Sequence, residues 1–221
     1  MDDVSYYMTE EEFYLLLAGK GIERWYGLTS DARGAQARQM DQREIYRALT
    51  SLYQKELVSW KEDKVHLEPF AEEMMGILLH SSCCMRYANP DSGEQMIYYF
   101  YGNRAIMLEV SQTQRNTFRV SVCLQADVLE RMLDDEIFPE EDCFFDEEEE
   151  TLSLSVNPDA IIRGSLLFLH PRTGQEMEKI TVTEEGIDVF LNIDQAGFVK
   201  KVPYRQKTWQ QELNHVCSVH D

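Results

Sequence analysis

The chain has 221 residues, 43% of them hydrophobic and 11% aromatic, enough for a sizeable core and too apolar for a disordered segment. Its formal charge of −19 repels nucleic acid and anionic lipid at long range, which disfavours partners recognised mainly through phosphates. Five cysteines, odd in number and scattered apart from Cys83-Cys84, suit reduced thiols rather than a disulfide framework.

The N-terminal segment Thr9-Glu10-Glu11-Glu12 has the form of a capping box, and Phe13, Leu16 and Leu17 follow it on one helical face. Gly19 and Gly21 are placed to end that helix. No basic stretch precedes Phe13–Ala18 and no apolar run approaches the ~20 residues that cross a bilayer, so a cytoplasmic protein without membrane insertion is expected. Arg33, Arg38, Arg43 and Arg47 form a local basic exception, read either as a solvated face or as a phosphate contact.

Asp41 can cap a second helix with Ile45, Leu49, Leu52 and Tyr53 as its apolar stripe. Val58-Ser59-Trp60 and Val65-His66-Leu67 then flank the polar turn Lys61-Glu62-Asp63-Lys64, with Trp60 expected to be packed. Pro69 opens a third helix with Phe70, Met74, Ile77 and Leu78 on one face. Helix, tight hairpin and helix is the layout of a winged-helix module.

The character then turns to β. Strands are expected at Cys83 to Ala88, Gln95 to Tyr101, Ala105 to Val110 and Phe118 to Leu124, with Gly102-Asn103 as a two-residue hairpin turn. A helix with Val128, Leu129, Met132 and Leu133 follows. Further strands are expected at Leu166 to Leu169, Glu178 to Thr183, Ile187 to Ile193 and Phe198 to Val202, and a helix from about Lys207 to Val216 closes the chain.

The two halves echo one another. Val65-His66-Leu67-Glu68-Pro69-Phe70-Ala71 has a counterpart in Leu154-Ser155-Val156-Asn157-Pro158-Asp159-Ala160, and Pro90-Asp91-Ser92-Gly93 in Pro171-Arg172-Thr173-Gly174. The expected fold is α+β, with pseudo-twofold duplicated antiparallel β-meanders forming a central sheet, flanking helical clusters and a winged-helix-like N-terminal part. One domain over 1–221 is expected, built from pseudo-repeats at about 41–124 and 125–204 with an added helix at each end.

Catalytic signatures are absent: no phosphate-binding glycine loop, no Gly-x-Ser-x-Gly, no His-Glu-x-x-His and no Cys-x-x-Cys. A non-enzyme without metal or cofactor is therefore expected. Cys83-Cys84 after His80 reads better as two core residues on opposite strand faces, and His215, Cys217 and His220 as a tail rather than a zinc site. The segment Asp134 to Glu150 carries eleven carboxylates, with Ile137, Phe138, Phe144 and Phe145 among them. These four are candidate anchors for a docked protein, or else pins that hold the loop to its own core.

Two stretches together bear a family likeness. One is the Thr-Glu-Glu-Glu-Phe-Tyr-Leu-Leu-Leu run. The other is Leu57-Val58 with Val65 to Ala71 and Met75, continued through Tyr98-Tyr99-Phe100-Tyr101-Gly102-Asn103-Arg104-Ala105-Ile106-Met107-Leu108-Glu109. In this order they resemble the EspG family of ESX (type VII) secretion-associated chaperones. The resemblance implies a quasi-twofold fold and a cytoplasmic chaperone or adaptor for a helical secreted protein. The chain departs from that family in its short length and in the tight Gly102-Asn103 turn, where a long gripping loop is expected. The alternative is a winged-helix transcriptional regulator with a β sensing domain.

Overall fold

The computed structural model describes residues 4–22, 24–26, 35–36, 40–89, 93, 95–114, 116–143, 151–195 and 198–218. The chain begins with strand β1 (Ser5–Thr9) and helix α1 (Glu10–Gly19), then the short pair β2 (Arg24–Trp25) and β3 (Ala35–Gln36). Helix α2 (Gln42–Gln54), the hairpin β4 (Val58–Lys61) and β5 (Lys64–Leu67), and helix α3 (Pro69–His80) follow. A first meander is β6 (Cys83–Ala88), β7 (Gln95–Tyr101), β8 (Arg104–Val110) and β9 (Thr117–Leu124), closed by α4 (Gln125–Asp134). After β10 (Thr151–Ser153), a second meander is β11 (Ile161–Leu169), β12 (Glu176–Glu185), β13 (Asp188–Gln195) and β14 (Phe198–Pro203), closed by α5 (Gln206–Ser218).

Local chemistry accounts for the helix boundaries. The Glu12 amide donates to Thr9 Oγ1 and the Thr9 amide to Glu12 Oε2, so both halves of the capping box are made. Asp41 and Glu44 repeat the device on α2. At the end of α1, Gly21 takes φ 74° while the amides of Gly21 and Ile22 return to the carbonyls of Ala18 and Leu17, the double bond of a Schellman close. Glu12 is 1% exposed, and Lys55 of the α2 C-cap reaches both its oxygens at 2.6 and 2.8 Å. Removing one partner of so buried a pair costs on the order of 3 kcal/mol, so this contact fixes α1 against α2.

Among the described residues ten strands make one antiparallel sheet in the order β1-β9-β8-β7-β6-β11-β12-β13-β14-β10. The order is symmetric about the β6–β11 ladder, where Cys84 to Ala88 lie opposite Leu169 to Ser165. Gly93 and Gly174 occupy equivalent turns 81 residues apart (174 less 93) and adopt φ 70° and 69°. Each glycine amide donates to the carbonyl four residues earlier, Asn89 and His170 respectively. The same offset carries Arg86 onto Leu167, and these two residues face each other in the central ladder. A local twofold therefore passes between Arg86 and Leu167, perpendicular to the sheet.

The two faces of the sheet are covered differently. On one face, Cys84, Ile97, Tyr99, Ile106, Leu108 and Val120 of the first meander pack under α1, α2 and α3. On the other, a continuous core runs across both meanders beneath α4 and α5, from Met85 and Tyr98 to Leu166, Ile180 and Leu191. Among the described residues the second meander has no counterpart of α1 to α3. Its strands on that side present Lys179, Thr181, Asn192 and Lys201 in register, not an apolar surface. Asn192 Nδ2 there donates to Thr183 Oγ1 and the Thr181 carbonyl, and Lys201 lies 3.9 Å over the Phe190 ring and pairs with Glu185.

Several expectations need correction. Residues 154–160 are bends and turns, so the sequence echo of Val65 to Ala71 marks no second helix. The edge strands β1 and β10 and the pair β2–β3 carry no strong local pattern and were not expected. Trp60 is not packed but 53% exposed, and the α2 stripe is tilted outward, with Tyr53 54% exposed while Leu52 is buried. Among the described residues no helix is long and apolar enough to cross a membrane.

The twofold-related glycines differ in one respect that stability measurements can read. A Cβ at Gly93 meets nothing, whereas one at Gly174 runs into the base of the Tyr26 ring. Gly93→Ala is expected to cost about 1 kcal/mol for its left-handed backbone, and Gly174→Ala at least twice that. Urea unfolding with an unchanged m-value checks both.

Candidate interaction surface

The acidic aromatic segment begins where α4 ends. Glu136 takes φ 56°, and the amides of Ile137 and Phe138 both return to the Met132 carbonyl, which turns the chain inward. Ile137 and Phe138 are accordingly buried, at 1% and 2% exposure. Phe138 stacks on Tyr204 (4.6 Å, 17°) and leans on Trp209 (5.1 Å), while Ile137 fills the space left by the absent side chain of Gly164. Further on, the Cys143 amide donates to the Tyr204 carbonyl, and Asp142 accepts from the Gln206 amide at the start of α5. The apolar surface of Ile137 and Phe138 is thus used within the fold, joining α4 to α5. Phe144 and Phe145 lie outside the described residues.

The other sequence candidates are dispersed. His80 Nδ1 donates to the Gly76 carbonyl, and its ring lies against Tyr101. Cys83 and Cys84 face opposite sides of the sheet, in the second and first cores respectively. The Cys83 thiol meets that of Cys217 on α5, and this hydrogen bond and burial push its pKa up strongly. That proximity across the fold had no signature in the sequence. Among the described residues no group of three His, Cys, Asp or Glu side chains is placed to hold a metal ion. His220, Arg33 and Arg38 lie outside the described residues. Arg43 and Arg47 are exposed on α2, beside a hairpin whose tip balances Lys61 and Lys64 with Glu62 and Asp63.

Two of the exposed surfaces combine apolar and charged side chains near the N-terminal helices. One is the outer side of α2 and the β4–β5 hairpin, where Ile45, Tyr46, Tyr53, Trp60 and Val65 are exposed. The other is a groove of about 1540 Å³ that curls around the end of β9, between α3 and the hairpin on one side and α4 on the other. Its floor is apolar, with Phe70, Tyr98, Met107, Val122 and Val128, and its rim is charged.

Away from this groove, Glu178 of β12 is held beneath α5. Burial, reinforced by the neighbouring Glu212 and opposed by Lys200, pushes its carboxyl up to about 7. Lys200 also pairs with Glu212 at 3.9 Å. A raised carboxyl can serve acid–base catalysis, but this one lines no part of the groove.

Neither a protein-family model nor a characterised protein sequence matches the chain. In fold it is similar to the Mycobacterium tuberculosis type VII secretion system chaperone EspG5, solved in complex with a PE25–PPE41 dimer. The TM-score is 0.53 at 8% identity, and the alignment covers 99% of this chain and 97% of that one. The large antiparallel sheet flanked by helices is therefore an EspG-like fold.

Glu178 supplies a pH test of the contact between α5 and the sheet. Its folded pKa lies above the unfolded value, so the stability it contributes is full below about pH 4 and is lost as pH rises through 7. Glu178→Gln is expected to remove that loss, raising Tm above pH 7 and leaving it unchanged near pH 4. Thermal melts of both proteins across this range measure it.

Proposed function

We propose that the protein is a non-enzymatic cytoplasmic chaperone or adaptor that binds a helical secreted substrate of a type VII (ESX-like) secretion system. The observation that carries this reading is the fold likeness to a type VII secretion chaperone over nearly the whole of both chains. In that role a single domain of two repeats acts as a rigid platform. It covers apolar helical surface of its partner until delivery and so stabilises the partner by mass action. The strong negative charge keeps such a platform soluble and free of nucleic acid.

The mode of grip differs from the one the family resemblance implies. β7 and β8 are joined over Gly102 and Asn103 alone, with Tyr101 opposite Arg104, so no long loop is available there to clasp a helix tip. Binding therefore falls to preformed surfaces of the domain. The exposed aromatics on α2 and the hairpin sit in a chain of net charge −19, which disfavours a nucleic-acid partner.

Tagged protein recovered from its native host under mild conditions is expected to carry a type VII substrate with it. Co-expression is expected to raise the soluble yield of that substrate several-fold. Recovery without any such substrate, with no gain in solubility, would overturn the reading.

A further inference from the structure

The groove around the end of β9 has three properties that together specify an occupant. The first is charge. Seven carboxylates and three guanidinium groups line it, an excess of four negative charges. The arginines are already matched: Arg104 pairs with Glu73, Arg119 with Glu109 at 3.6 Å, and Arg131 with Asp135 at 3.3 Å. Glu56, Glu130 and Asp134 carry no ion pair among the described residues, and all three are exposed. The rim therefore attracts cations, not carboxylates or phosphates.

The second property is an unmet polar demand beneath the apolar floor. Tyr98 is fully buried and Ser121 is 5% exposed, yet neither the Tyr98 hydroxyl nor Ser121 Oγ has a hydrogen-bond partner, and both residues line the groove. A buried hydroxyl without a partner keeps its desolvation cost, and a ligand that supplies the missing bond recovers it. The third is size. Small-molecule sites span roughly 300–1,000 Å³. At about 1540 Å³ and open to solvent, this groove exceeds that range and has room for a peptide segment.

From these properties we infer that the groove is the seat of the partner in the chaperone role proposed above, on which the inference rests. The occupant is an amphipathic helix on the α4 side of the sheet, its apolar face on Met107 and Cys123 beside Val128. Lysines or arginines flanking that face meet Glu130 and Asp134. A polar side chain within the face reaches the hydroxyls of Tyr98 and Ser121. This is helix-in-groove recognition with charge steering at the rim.

Fluorescence anisotropy on the full chain tests this with a labelled amphipathic helical peptide of leucine and lysine carrying one central glutamine. A leucine/glutamate peptide of the same pattern serves as control. The lysine peptide is expected to bind and the glutamate peptide not to. The double variant E130K/D134K is expected to weaken binding about tenfold. E140K/E141K, which changes net charge equally outside the groove, is expected to leave it within about twofold. Tyr98→Phe removes an unpartnered hydroxyl, so the free protein should melt no lower than the parent while the peptide binds roughly fivefold more weakly.

Equal loss in the two double variants, or equal binding of the two peptides, overturns the inference by reducing it to net charge. A lower melting point for Tyr98→Phe with unchanged peptide affinity overturns the role of the hydroxyl. The chaperone role is separable. If a type VII substrate co-purifies undiminished with E130K/D134K, the groove assignment falls and the chaperone role stands. If the peptide behaves as expected but no secreted substrate is ever recovered, the groove stands as a basic-helix site and the chaperone role falls.

Discussion

The β6–β11 ladder is the contact on which the rest of the architecture depends. Cys84 to Ala88 pair with Leu169 to Ser165, and this is where the two meanders join into one sheet. Their antiparallel pairing about Arg86 and Leu167 places the local twofold there and fixes which side of each strand faces which core. Because side chains alternate, a slip of one residue in this ladder would exchange the faces of a whole meander. It would carry Phe168 and Leu166 out of the core beneath α4 and α5 and expose apolar area worth several kcal/mol.

From that ladder the unequal use of the two faces follows. On the side of α4 and α5, the twofold is kept, with one helix following each meander and a continuous core under both. Ile137 and Phe138 tie these helices together across the axis, Phe138 reaching Tyr204 and Trp209. On the opposite side symmetry is given up. The first meander is covered by α1 to α3, with Glu12 and Lys55 holding α1 to α2, while the second carries a polar network around Asn192 and Lys201. A duplicated sheet thus acquires one end with helices, a hairpin and a groove, and another that carries a polar network with Thr183 and Asn192 buried within it.

This asymmetry bears on binding. Grooves form where covering elements stop short of the sheet edge, and here α3 and the β4–β5 hairpin stop on one side of β9 and α4 on the other. The acidity of the chain, which alone says only what it avoids, acquires direction at this rim because the local arginines are paired internally. Where the family resemblance implies a long gripping loop, β7 and β8 are joined by the two-residue turn Gly102-Asn103.

The sequence by itself determined the elements whose causes are local. Capping boxes at Thr9 and Asp41, Pro69 at a helix start, the Gly102-Asn103 turn and alternation along Phe118 to Leu124 act within a few residues, and the structure follows them closely. The paired Pro-x-Ser/Thr-Gly turns even located the twofold, since their offset matches the register of the central ladder. What depended on contacts between distant residues was decided only by tertiary structure. Ile137 and Phe138 read equally well as docking anchors or core pins until Tyr204 and Trp209 were found against Phe138. Trp60 and Tyr53 looked packable, but no described element covers them; Cys83 and Cys217 met only through the placement of α5. Periodicity states which side of an element is apolar, and it carries no information about whether another element arrives to cover that side.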